Sequence, residues 1–338
     1  MLTAILNAGK KIKLLDQEMP EACHDFVVVK VHTSPMCTEF YNYRDGKEDL
    51  CMGHEAAGEV VEVAQPGKVK PGDRVVVMPQ YPCGKCDLCL NGEYIHCEDI
   101  VDPLETCSCE SGVATYSQFV IKQDWLLIPI PDGMSYDHAS MACCGLGASF
   151  GAIQMMGTGP FDTVLITGLG PVGLGAIINC KARGSRVIGI TRNKYRTDLA
   201  MQLGAETVLD PDDPGCVNKI KDLTGGKGAD KSIDCSGGKN YQLICVHGTR
   251  RKGHIAFVGE SGDLTVKVSD DLIRNGLTLH GAWHWNLTDT SVIMETIQRS
   301  TGLIDKLITH TFPLSQVEEA FNLQLTGQCG KVLLHPQG

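Results

Sequence analysis

The chain has 338 residues, 43% of them hydrophobic and 21% charged, a composition that excludes a disordered or collagen-like protein. That length implies about two domains, each large enough to bury its own core. The formal net charge of −10 is the wrong sign for a protein whose main partner is nucleic acid.

The first seven residues lack the basic start and long apolar run of a signal peptide and read as a strand. No stretch approaches the roughly 20 apolar residues of a membrane span, so the expected location is the cytoplasm. Up to about residue 148 the chain is rich in Val, Gly and Pro. Val27–Val31, Gly58–Val63 and Arg74–Val77 read as strands, with a turn at Pro71-Gly72-Asp73. Short apolar runs with few helical repeats predict a strongly twisted or barrel-like β domain.

Cysteine is over-represented, with 16 in the chain. In a reducing compartment a cysteine cluster binds metal more readily than it forms disulfides. Cys83, Cys86, Cys89 and Cys97 fall within one short segment with C-x-x-C spacing. Four thiolates at that spacing close a tetrahedron around zinc and leave no open position, which is the pattern of a structural site. An iron–sulfur cluster is the alternative. Gly84 and Gly92 let the backbone turn around the ion. His96 reads as a bystander, and Cys107 and Cys109 as loop thiols.

A second constellation is more dispersed. His54 and Glu55 lie in Gly53-His54-Glu55-Ala56-Ala57-Gly58, Cys37 lies upstream, and Cys143-Cys144 lies downstream. Two thiolates and an imidazole suit a zinc site with one position open for substrate. Spacing alone does not bring these three segments together.

From about residue 160 the texture changes. Thr163–Thr167 reads as a buried strand and Val172–Ala182 as an apolar helix. Strand 186–191, helix 194–203, strand 207–209, helix 216–223 and strands 231–235 and 254–258 follow. This alternation predicts a parallel sheet covered on both faces. Gly168, Gly170 and Gly173, with Pro171 and Val172 between them, form G-x-G-x-x-G between strand and helix. The first glycine makes the tight turn, the second admits a pyrophosphate, and the third packs helix on strand. The next strand ends at Thr191, where NAD-binding proteins usually carry an acid that bonds the ribose 2′-hydroxyl. Arg192, Lys194 and Arg196 follow, a set suited to a 2′-phosphate. NADP is therefore the preferred cofactor and NAD the alternative. Cys180, Cys235 and Cys245 read as core residues. Helices 290–300 and 314–324 and a strand 331–335 complete the chain.

The whole chain resembles the zinc-containing medium-chain dehydrogenases, the alcohol and polyol dehydrogenases. The resemblance is carried by Gly53-His54-Glu55-Ala56-Ala57-Gly58, Pro71-Gly72-Asp73-Arg74-Val75, the four-cysteine lobe, Cys144-Gly145 and the Gly168–Gly173 turn. It implies an α/β protein: a Rossmann doubly wound parallel sheet (151–286) and a discontinuous GroES-like β-barrel catalytic domain (1–150 and 287–338). It also implies two zincs. Cys83, Cys86, Cys89 and Cys97 would hold the structural ion; Cys37, His54 and Cys144 would hold the catalytic one, with Glu55 beside them and Cys143 as an alternative to Cys144. The implied reaction is hydride transfer between a nicotinamide and an alcohol or carbonyl whose oxygen zinc polarises. Both ligands would meet in an interdomain cleft. A symmetric homodimer or homotetramer is expected.

One departure concerns Cys37-Thr38-Glu39. The family usually reads Cys, any residue, Ser or Thr, then Asp, so either one residue is missing or the cysteine has moved by one. Thr38 is expected to bond the substrate oxygen and carry its proton outward, and Glu39 to replace the Asp. Tyr41, Asn42 and Tyr43 stand where a relay His is common. Glu39, Asn42, Arg44 and Trp125 could contact a hydroxylated substrate, which leans towards a polyol or sugar-derived alcohol. Trp283-His284-Trp285 reads equally as a wall for substrate or cofactor and as interface packing. The competing functions are a zinc-independent enone or quinone reductase on the same fold, and a cofactor-binding protein that has lost its catalytic zinc.

Overall fold

The structure is a computed structural model and describes residues 1–260 and 262–338. The chain divides into two compact units. The first comprises Met1–Cys143, Asn286–Gln298 and Ile308–Gly338; the second comprises Cys144–Trp285 and Arg299–Leu307. The expected boundaries at 150/151 and 286/287 thus fall at Cys143/Cys144 and Trp285/Asn286, and Arg299–Leu307 joins the second unit. The cause of the last shift is local: helix Thr301–Leu307 buries Ile304 and Leu307 against helix Pro171–Ala182.

The first unit is built on a mixed sheet. Its strands run in the order Ile308–Pro313, Lys331–His335, Phe26–Pro35, Ala56–Glu62, Arg74–Val77 and Leu127–Pro129, and Phe119–Gln123 also pairs with Phe26–Pro35. The long strand Phe26–Pro35 is the hub because its first half is apolar and rich in β-branched Val, and because it is buried on both faces along most of its length. Val27, Val29 and Val31 share one core with Val60, Val75, Val77 and Val120. Gly58 is required where the strands approach most closely, since a Cβ there would lie 2.1 Å from the Lys30 carbonyl oxygen. A hairpin of Leu2–Asn7 and Lys11–Asp16 covers a second core around Tyr116, Phe321 and Leu334.

The cysteine reading needs one correction here. Cys107 is bonded to Cys23 in a disulfide spanning 84 residues, and it is not a loop thiol. Both residues pack beside the apolar cluster of Phe26, Val28 and Ile121, which brings the two segments together.

The second unit is the predicted parallel sheet. Its order is Thr207–Leu209, Arg186–Ile190, Thr163–Thr167, Ala229–Asp234, Thr249–Phe257 and Thr278–Gly281, all parallel. The order reverses beside Thr163–Thr167, the first strand of the unit. A doubly wound sheet binds its ligand outside the carboxyl ends of the strands at that point. Leu165, Ile188, Ile190, Ile220 and Ile244 form the core on one face. Helix Pro171–Ala182 lies close to helix Gly147–Met155 through Gly175, where a Cβ would stand 1.9 Å from the Gly145 oxygen. Cys180 and Cys245 are fully buried as expected, whereas Cys235 is only half-buried at the end of its strand.

Candidate metal centres and dinucleotide site

Two groups of side chains converge as metal-ligand sets. In the first, Cys83, Cys86, Cys89 and Cys97 place their sulfurs within 4.8 Å of one another. The Cys86 and Cys97 sulfurs are 3.8 Å apart. That matches the edge, about 3.8 Å, of a tetrahedron drawn with Zn–S bonds of about 2.3 Å. Backbone N–H groups point at the sulfurs: Cys83 donates to Cys97 Sγ at 3.3 Å and Cys86 to Cys83 Sγ at 3.4 Å. Donors of this kind, first among them the Lys85 N–H, bring the Cys83 thiol down to about 7. The ring of Trp125 lies against Gly84, where a Cβ would be 3.1 Å from it. Asn286 Nδ2 closes the far side of the lobe, donating to Asn91 O at 2.9 Å and Glu93 Oε1 at 2.7 Å. His96 is exposed and outside the ligand group.

The second set is Cys37, His54, Glu55 and Cys144, again within 4.8 Å of one another. Cys144 is the residue at which the chain leaves the first unit. Cys143, the alternative, is fully buried and turned away, with its sulfur 3.5 Å from Val77 O. Burial pushes the Cys143 thiol well up, so it suits a core position and not a ligand.

Glu39 ties His54 to the Cys37 segment. Its Oε1 is 2.6 Å from His54 Nδ1, and its Oε2 accepts from the Cys37 N–H at 3.2 Å and from the Tyr116 hydroxyl at 3.1 Å. With Nδ1 engaged, Nε2 is the ring atom left to face a metal. Burial opposes charging of His54, yet Glu39 and then Cys37 hold it well above its ordinary value. A proton therefore competes with any metal for this imidazole. Gly53 (φ 90°) is dictated by Tyr116, because a Cβ there would lie 2.4 Å from its ring.

Glu55 is fully buried and paired with the equally buried Lys331 at 3.0 Å. Burial pushes the Glu55 carboxyl up to about 7 in spite of Lys331. Thr38 stands exposed at the start of helix Glu39–Asp45.

Several candidates for substrate contact lie elsewhere. Asn42 bonds Asp49 at 3.0 Å, Arg44 bonds its neighbour Asp45, and Trp125 packs on the cysteine lobe. Glu39 serves His54. Trp285 is 1% exposed and meets Phe150 edge-on, so it belongs to the core of the second unit, while Trp283 is 48% exposed.

The glycine turn has the shape of a cradle. Gly168 (φ 78°) sits where a Cβ would be 2.4 Å from Ser236, and a Cβ on Gly173 would be 2.2 Å from Gly168 O. Gly170 caps the helix and Pro171 occupies its first position, so that helix's N-terminus faces outward from the turn. Asp234 holds the opposite wall, accepting from Thr167 Oγ1 at 2.9 Å, Ser236 N at 3.0 Å and Gly237 N at 3.2 Å. Thr191 is buried and Arg192 is 70% exposed, 3.7 Å from Asp212. Lys194 turns to Asp198. Arg196 instead lies against the turn: a Cβ on Gly170 would be 3.9 Å from its Nη1, and its buried Nε has no hydrogen-bond partner among the described residues. A buried cationic donor left unsatisfied beside an outward-facing helix N-terminus fits a phosphate-bearing ligand.

Tyr116, Lys331 and Asp234 were not singled out from sequence. Lys331 has a faint signal as the lysine that opens the apolar strand Lys331–His335, whereas Asp234 has none, since its strand also carries Asp230 and Lys231. Tyr116 also has none.

This fold, with a glycine-rich dinucleotide cradle and two cysteine-rich candidate ligand sets, defines an oxidoreductase of the dehydrogenase class. Residues 24–132 match the alcohol dehydrogenase GroES-like domain and residues 171–299 match the zinc-binding dehydrogenase family. An L-threonine 3-dehydrogenase of Bacillus licheniformis is 31% identical, over 92% of this chain and 91% of its own. A sorbitol dehydrogenase of Bacillus subtilis is 28% identical, over 99% and 97%. The alcohol dehydrogenase TADH from Thermus sp. ATN1 superposes with a TM-score of 0.89 at 21% identity, covering 99% of each chain. The chain belongs to the zinc-containing medium-chain dehydrogenases. Among the described residues no helix is long and apolar enough to cross a membrane.

Proposed function

We propose that the chain is a two-zinc alcohol dehydrogenase that prefers NADP and acts on a polyol or sugar-derived alcohol. The observation that carries the reading is the convergence of Cys37, His54, Glu55 and Cys144 on one point. Zinc bound there supplies Lewis acidity to an alcohol or carbonyl oxygen, and the nicotinamide supplies the hydride acceptor or donor. The chain's own residues do the rest. Glu39 fixes the His54 tautomer, Lys331 compensates the Glu55 charge, and Thr38 offers an exposed hydroxyl to take the substrate proton outward.

The absence of an acid at Thr191 and the Arg196 donor beside the glycine turn support NADP. The polyol reading draws on the likeness to the sorbitol dehydrogenase. The strand Thr278–Gly281 forms one edge of its sheet and leaves Leu279 exposed, which supports association of copies into a symmetric oligomer.

The test is a screen of alcohols with NADP and NAD, read by nicotinamide absorbance, on the wild type and on Cys37→Ser and His54→Ala. Both variants are expected to lose turnover and to keep cofactor affinity. Turnover that survives both replacements overturns the ligand assignment.

A further inference from the structure

The second unit carries a cavity of about 750 Å3 that the dehydrogenase reading does not use. It lies at the amino ends of strands Ala229–Asp234 and Thr249–Phe257, opposite the end that bears the glycine turn. The neighbouring strand Thr163–Thr167 has five residues, so the two ends are roughly 15 Å apart. One ligand group cannot occupy both.

Charge is what distinguishes this cavity. Lys221, Lys227, Arg250 and Arg251 line it, with Asp230 the one carboxylate among the lining residues. With His247 neutral, the wall has a net of three positive charges in a chain whose overall charge is −10. The carboxylate is already committed: Asp230 Oδ1 takes Arg250 Nε at 2.6 Å and Oδ2 takes the Thr163 N–H at 2.8 Å. Arg250 is also held through Nη1, which donates to Arg251 O at 2.9 Å. Its guanidinium is therefore fixed in advance. Among the described residues no carboxylate forms an ion pair with Lys221, Lys227 or Arg251. Cations gathered on one concave wall repel one another, and a multiply charged anion relieves that repulsion. The volume is that of a small-molecule pocket and far exceeds what one inorganic ion fills.

We propose that this cavity binds a small phosphate ester or phosphoanhydride carrying at least two negative charges, at a site separate from the dinucleotide cradle. Arg250 is the anchored fork; Lys221, Lys227 and Arg251 supply mobile charge. A nucleotide and a sugar phosphate share this chemistry.

The experiment is calorimetric titration of the full chain with inorganic pyrophosphate, on the wild type and on a Lys227→Ala/Arg251→Ala double variant. Both replaced side chains are exposed, so the variant keeps its core. Saturable binding that weakens with salt, and that falls about tenfold or more in the double variant while nicotinamide-dinucleotide affinity is unchanged, supports the site. No saturable binding overturns it. Equal binding by the variant also overturns it, because the anion then sits elsewhere, as in the glycine cradle. Displacement of pyrophosphate by adenosine diphosphate or by ribose 5-phosphate identifies the source, and displacement by neither overturns the ligand class.

Discussion

Glu39 shows how one side chain can organise a site. Two residues after Cys37, its carboxylate reaches His54 Nδ1 at 2.6 Å. It also collects the Cys37 N–H and the Tyr116 hydroxyl, so three groups hold it in place. A partner that orients a metal-binding His typically contributes ten- to a hundredfold in metal affinity. Glu39→Asp should therefore be as damaging as Glu39→Ala, because the shorter side chain falls short of His54 Nδ1. Both should lower zinc affinity at the Cys37 site by about ten- to a hundredfold, measured by competition with a chromophoric chelator, and leave the four-cysteine lobe loaded. If Glu39→Asp binds zinc as the wild type does, length is not what this position needs. Glu39 itself was readable from sequence as a departure. Its geometric logic was not, because Tyr116, buried in a different segment, gives no periodic or spacing signal.

Elements were legible where one physical signal acted alone. The apolar run of Thr163–Thr167, the strand Thr207–Leu209 and the final strand Lys331–His335 have the bounds their sequences predict. The strand Thr249–Phe257 begins earlier than the apolar run 254–258 predicts, because it opens with Thr249-Arg250-Arg251-Lys252, whose charges hide the strand pattern. Helix Lys239–Gly248 gives no periodic signal in the sequence because its polar and apolar residues do not separate onto two faces. The Cys23–Cys107 link was invisible because pairing depends on the fold and not on spacing. It closes an 84-residue separation, for which chain entropy sets an upper value of about 4.6 kcal/mol. Cys107→Ser should therefore unfold at lower denaturant than the oxidised wild type, and dithiothreitol should bring the wild type to the same midpoint. Coincident midpoints for all three samples would show that the bond contributes nothing. Gly175 tests a second element contact. Gly175→Ala places a methyl 1.9 Å from Gly145 O and must push apart helices Gly147–Met155 and Pro171–Ala182, at a cost of about 1–3 kcal/mol. Thermal unfolding of that variant at an unchanged midpoint would mean that the helices yield freely.

At the scale of the molecule, two metal sets of unequal closure are the feature that composition announced and the fold arranged. The 16 cysteines sort into a disulfide, two ligand sets and a remainder that includes buried thiols such as Cys143, Cys180 and Cys245. The lobe of Cys83, Cys86, Cys89 and Cys97 has four sulfur donors, two of them buried, and is closed around its centre. Cys37, His54 and Cys144 are half-buried and Glu55 is fully buried; in the proposed function they leave one position for substrate. An open site exchanges metal faster than a closed one, and a closed thiolate site contributes its binding energy to folding. Protein purified without chelator is expected to carry two zincs per chain by elemental analysis. Mild chelation should remove the first zinc with loss of turnover and an unchanged unfolding midpoint; harsher chelation should remove the second and lower the midpoint. A single zinc whose removal destabilises the fold, in protein that still turns over, would leave the Cys37 set without a metal and return the reaction to chemistry that needs none.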